Sequence, residues 1–112
     1  MAAMTVANVP GQTKVTVAAA AVSASDTLTA SDVGSRGVLL NVINAGAGSI
    51  NVTISDPGTT SVGNVGTTTA QAVANGTDGW FRILPAHVNP VTGVATVAYS
   101  GTTSVTYKAI RA

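Results

Sequence analysis

The side chains able to carry acid–base or nucleophilic chemistry are few: one histidine, His87, four aspartates, Asp26, Asp32, Asp56 and Asp78, no glutamate and no cysteine. A serine nucleophile would need His87 as its base and an aspartate to orient it, yet no serine sits in a G-x-S-x-G turn. His87 lies in LPAHVNP between Pro85 and Pro90. A loop histidine bonded to backbone is the simplest expectation there, with an interface contact as the alternative. Asp56-Pro57-Gly58 and Asp78-Gly79 are turn carboxylates without the several oxygens a hard cation gathers, so they are expected to cap their own turns. Paired carboxylates for glycoside chemistry could meet only by tertiary accident. Lys14 or Lys108 could condense with an asparagine only beside a buried acid, and acids are scarce. The chain is therefore read as a non-enzyme, with no cofactor and no metal site.

Charge narrows the partners. Only 8% of residues are charged and the net charge is +1, which leaves no basic field for nucleic acid and no acidic tail. Arg36, Arg82, Lys108 and Arg111 are scattered, as rim contacts or solvated ends would be. The longest apolar run, residues 17–22, is far short of the roughly 20 residues of a membrane helix. Lys14 followed by residues 15–22 and then Ser23-Ala24-Ser25 has the outline of a secretory leader. The preceding residues, however, carry no basic side chain, and a strand explains Val15 and Val17 equally well. A surface this neutral and hydroxyl-rich is expected to be largely covered in an assembly.

The elements that position these residues are strands. Residues 38–43 form a nearly continuous apolar run, Val38, Leu39, Leu40, Val42 and Ile43 around Asn41, which suits the centre of a sheet or burial on both faces. After Asn44-Ala45-Gly46, Ile50, Val52 and Ile54 alternate with polar residues, so 37–57 reads as a hairpin. Residues 13–21 alternate as a first strand, 27–33 as a short strand or helical turn, and 67–73 as a further strand. Asn75-Gly76 and Asp78-Gly79 mark turns before an aromatic strand at 80–84. Residues 94–99 and 103–110, separated by Ser100-Gly101, read as a second hairpin. Residues 1–12, closed by Pro10 and Gly11, are expected as an extended N-terminal arm or an edge strand. The prediction is an all-β chain: a single β-sandwich or jelly-roll-like domain over 13–112, with about seven or eight short antiparallel strands.

The large aromatics are Trp80, Phe81, Tyr99 and Tyr107. Phe81 and Ile83 share a strand face and are assigned to the core. For Trp80, capping of the core is the default and anchoring a neighbour is the alternative.

The stretch from Gly76 to Arg111 contains, in order, Trp80-Phe81, a loop ending in Asn89-Pro90, a turn at Gly93, and the runs 94–100 and 103–106. This order of parts, with 94–100 and 103–106 as a strand pair and the 37–56 hairpin with its Asn44-Ala45-Gly46 turn as a central hairpin, resembles the small β-sandwich capsid decoration (cement) proteins of tailed bacteriophages. The resemblance spans about two-thirds of the chain and rests on order of parts rather than on a chemical signature. It implies a structural virion protein on the capsid exterior, bound to the major capsid protein, bridging capsomers and assembling as a homotrimer, with neither nucleic acid nor membrane as partner. The expected interface residues are Met1, Met4, Val6, Val9 and Pro10 of the arm, with Trp80, Arg82 and His87. The alternatives are another phage component, such as a head–tail connector, tail accessory or head-fibre base, and a surface carbohydrate-binding or adhesin-like sandwich module. The scarcity of aromatics for stacking on sugars disfavours the last.

Overall fold

A computed structural model of the chain describes residues 2–58, 61–63 and 68–112. The 38–43 run becomes β4 (Val38–Asn44), and its alternation sets the architecture. Val38, Leu40 and Val42 are fully buried on one face with Asn44, while Leu39, Asn41 and Ile43 occupy the other. β4 is central in a four-stranded sheet of order β2 (Ala20–Ala21), β9 (Val105–Arg111), β4, β7 (Thr77–Ile83). The second sheet has order β1 (Ala2–Ala3), β3 (Ser25–Thr29), β8 (Val94–Tyr99), β5 (Ile50–Ile54), β6 (Gln71–Val73). The two sheets pack as a sandwich around a core built mainly of Val, Leu and Ile. The all-β sandwich expectation thus holds.

Both expected hairpins are corrected. β4 pairs with β7 and β9, whereas β5 pairs with β6 and β8, so the chain from 44 to 50 crosses from one sheet to the other. β8 and β9 likewise lie in different sheets. Among the described strands, every sequential connection except β5–β6 crosses the sandwich. With the crossing, the inward faces of β4 (Val38, Leu40, Val42) and of β5 (Ile50, Val52) share one core from opposite sheets. The crossing after β4 is held by Asn44, which is 1% exposed. Its Nδ2 donates to the carbonyls of Gly48 (2.9 Å) and Val73 (3.0 Å), and its Oδ1 accepts from the Gly46 N–H at 3.0 Å.

At the N-terminus the edge-strand alternative is realised, and the strand expected over 13–21 is shortened. Ala2–Ala3 add to β3 in parallel, the one parallel strand pair in these sheets. The Met4 N–H donates to the Thr27 carbonyl, and Ala7 then bridges to Ile110 in the opposite sheet. The strand expected over 13–21 shrinks to Ala20–Ala21, since Lys14, Thr16 and the alanines are largely exposed and offer little apolar area to bury. The segment 27–33 is strand then helix: β3 is followed by one turn, α1 (Ala30–Val33), in which the Thr29 hydroxyl caps the Asp32 N–H. Arg111 reaches Asp32 at 3.3 Å. The strand expected over 67–73 is present as β6, and Thr67 lies outside the described residues. Gly37, at φ +87°, has its Cα against the Ile83 carbonyl, where any Cβ would collide.

Candidate interaction surface

β7 brings the chemically distinctive surface residues together. Seven residues long, it pairs with β4 on one side and with no strand on the other among the described residues. The remaining sheet edges are much shorter: β1 and β2 have two residues each and β6 has three. Asp78-Gly79, expected as a turn, is instead inside this strand, and only Asn75-Gly76 turns, with Gly76 at φ +75°. Along β7, Ile83 is buried and Phe81 packs against the core, as expected, while Asp78, Trp80 and Arg82 are exposed on the opposite face. Trp80 is 61% exposed, which overturns core capping as its role. Its outward register follows from the pairing of Leu40 with Phe81 and Asn41 with Trp80: the position beside inward Leu40 faces in and the next faces out.

The outer face of the β2-β9-β4-β7 sheet can be read in rows. Ile110, Leu39 and Arg82 form one row, Lys108, Asn41 and Trp80 the next, and Thr106, Ile43 and Asp78 the third. Leu39, Ile43 and Ile110 are half-buried, making a mixed apolar and charged surface around the indole. Asn41 is only 8% exposed, and its Oδ1 has no hydrogen-bond partner. Lys108 stands beside Asn41 in register, but the one fully buried carboxylate, Asp26, is on β3 in the other sheet. The acid that lysine–asparagine condensation requires is therefore not at this pair. Arg82 Nη1 donates to the Arg36 carbonyl at 3.4 Å, and neither Asp78 nor Arg82 has an ion-pair partner among the described residues.

The other expected interface residues are dispersed. Met4 is 4% exposed and belongs to this chain's own core, and Val6 packs against that core. Val9 and Pro10 are exposed, whereas Met1 lies outside the described residues. His87 ends a 3-10 turn, Pro85–His87, and its Nδ1 accepts the Leu84 N–H at 2.9 Å, as a backbone-bonded loop histidine should. Asp56 likewise caps its own turn by accepting the Gly58 N–H at 2.8 Å. Sequence reasoning missed Asp78, Leu39, Asn41, Ile43 and Ile110 as members of this surface. The polar Asn41 interrupting the 38–43 run was the available signal that alternate residues there face outward.

A second polar group lies inside the sandwich. Asp26, 2% exposed, accepts hydrogen bonds from the Ser23 hydroxyl and from the Ser23 N–H at 3.3 Å. The Tyr107 hydroxyl accepts from the Thr5 N–H at 3.0 Å, while the buried Tyr99 hydroxyl has no partner. Burial first, then the charge of Asp26 and the neighbouring Tyr107, raise the Tyr99 phenol well above the ordinary tyrosine range. Among the described residues, no three His, Cys, Asp or Glu side chains cluster as metal ligands would. No helix among them is long and apolar enough to cross a membrane.

No protein-family model matches the chain, and neither a curated protein nor a solved structure matches it.

Proposed function

We propose that this chain is a structural virion protein that decorates the outside of an icosahedral phage head, contacting the major capsid protein and bridging neighbouring capsomers. One observation carries the reading: the single tryptophan stands exposed on the long free edge of a sandwich with very few charges. A large aromatic on an edge strand, within a neutral, hydroxyl-rich surface, suits dry contact with protein. The resemblance in order of parts over 76–111 narrows that contact to a capsid, although the hairpin at 37–56 and the strand pair at 94–106 on which it also drew pass between the two sheets instead. In the homotrimer that the resemblance implies, copies would meet head to tail through unlike surfaces. The exposed arm residues Val9 and Pro10 are available for capsid contact, whereas Met4 is committed to the core.

Imaging of purified virions with this chain located on the shell tests the proposal. Hundreds of copies arrayed between capsomers are expected. A single ring of copies at one vertex would move the chain to the connector class. Absence from the particle would overturn the virion reading.

A further inference from the structure

We infer that the β7 edge pairs with the β7 edge of a second copy, antiparallel and about a two-fold axis through Trp80, joining two four-stranded sheets into one continuous sheet. This goes beyond the capsid reading, because it concerns the isolated chain in solution. The argument rests on the self-complementarity of one strand. In a two-fold antiparallel pair, each residue at a given distance before the centre faces the residue at that distance after it. Trp80 is the midpoint of Thr77–Ile83, so centring there pairs the whole strand.

The same centring places Asp78 of each copy opposite Arg82 of the other, twice, on the exposed face. Both are free of other ion pairs among the described residues. At about 3.4 Å per residue, the two ion pairs lie roughly 7 Å on either side of the facing indoles. On the core side, Phe81 falls opposite the second copy's Gly79, which has no side chain to oppose it. Other registers forfeit this match. Centring on Asp78 or Arg82 sets like charge against like. Centring on Gly79 or Phe81 leaves Asp78 without a cation and shortens the overlap. Inward or isolated edge charges ordinarily block edge pairing. Here opposite charges sit symmetrically about an aromatic, which selects one pairing instead.

A pair of seven-residue strands buries less than the roughly 1,600 Å² of a standard interface, so the association should be reversible and seen at micromolar to millimolar concentration. The test is sedimentation equilibrium of the full chain over that range, at low and high salt. Wild type is expected to self-associate through this contact, more weakly as salt rises. Asp78→Arg and Arg82→Asp should each weaken association at least ~10-fold by setting like charges opposite, and the double swap should restore it to within about threefold. Circular dichroism melts of all three variants check that the fold is intact.

A second measurement needs no charge change. The chain has no cysteine, so Trp80→Cys can form only the symmetric cross-link. Its oxidation should outpace that of Val91→Cys, at a site 90% exposed, by at least ~10-fold. Monomeric wild type throughout, self-association indifferent to both single swaps, a folded double swap that fails to restore pairing, or equal cross-linking at 80 and 91 would each overturn the inference. Any contact made elsewhere, including a head-to-tail trimer, would not reproduce the loss-and-rescue pattern.

Discussion

Two asparagines three residues apart on β4 behave oppositely. Asn44 faces the core and spends its amide on three backbone groups that guide the chain from one sheet into the other. Asn41 faces outward between Trp80 and Lys108 in register, is nearly as well buried, and leaves its Oδ1 without a partner. The difference teaches that burial alone does not reveal a polar residue's role. A satisfied amide holds a crossing that apolar contacts cannot specify, whereas an unsatisfied one is a cost carried on the outer face of the sheet.

The comparison can be broken most strongly at its satisfied member. Asn44→Ala should lower unfolding free energy by about 2–4 kcal/mol, because it removes the hydrogen bonds to the Gly48 and Val73 carbonyls and from the Gly46 N–H at once. Urea denaturation measures this, and a loss below about 1 kcal/mol would refute the role given to Asn44. Asn41→Leu should act in the other direction, raising stability by about 1 kcal/mol, since it removes a desolvated acceptor and adds apolar surface beside Leu39 and Ile43. A destabilised Asn41→Leu protein would show that the amide has a bonding role after all.

Tyr99 sharpens the same contrast inside the core. Its hydroxyl is unpartnered, so Tyr99→Phe should change stability by no more than about 1 kcal/mol at neutral pH. The alkaline response should differ more clearly. Because the native phenol is raised, the folded state keeps its proton where the unfolded chain has lost it. The stabilisation associated with this group is fully present below the free phenol's value of about 10 and declines as pH rises above it toward the raised native value. Thermal melts between neutral pH and pH 11 should therefore show a smaller alkaline loss for Tyr99→Phe than for wild type. Trp80→Ala should have the smallest effect on monomer stability, within about 0.5 kcal/mol despite removing the largest side chain, because the indole is exposed. A loss of several kcal/mol on dilution to monomer would return Trp80 to the core-capping role.

Much of the fold was legible from residue pattern, and the reason is local. Period-two alternation at 50–54, 94–99 and 105–111 reports that one face of each segment is buried, and the observed burial follows it. The candidate surface was less legible. Trp80 and Arg82 were singled out, but their row neighbours on β9 and β4 are at least 28 residues away in the chain, and only pairing brings them into rows. His87 was read correctly because its partner is three residues away in the chain. Met4 was misassigned because its burial depends on docking against distant strands.

By itself, the sequence determined the all-β class, the placement of most strands, and the scarcity of groups for acid–base chemistry. These follow from side-chain type and short-range alternation, which do not depend on what a strand meets. Tertiary structure alone decided that the apparent hairpins at 38–54 and 94–111 pass between sheets, and that Trp80 lies outside the core. Small residues such as Ala45, Gly46 and Gly48 permit either a hairpin or a crossing. The choice falls to long-range terms: the apolar faces of β4 and β9 must meet those of β5 and β8 across the core, and Asn44 must bond the Val73 carbonyl 29 residues away.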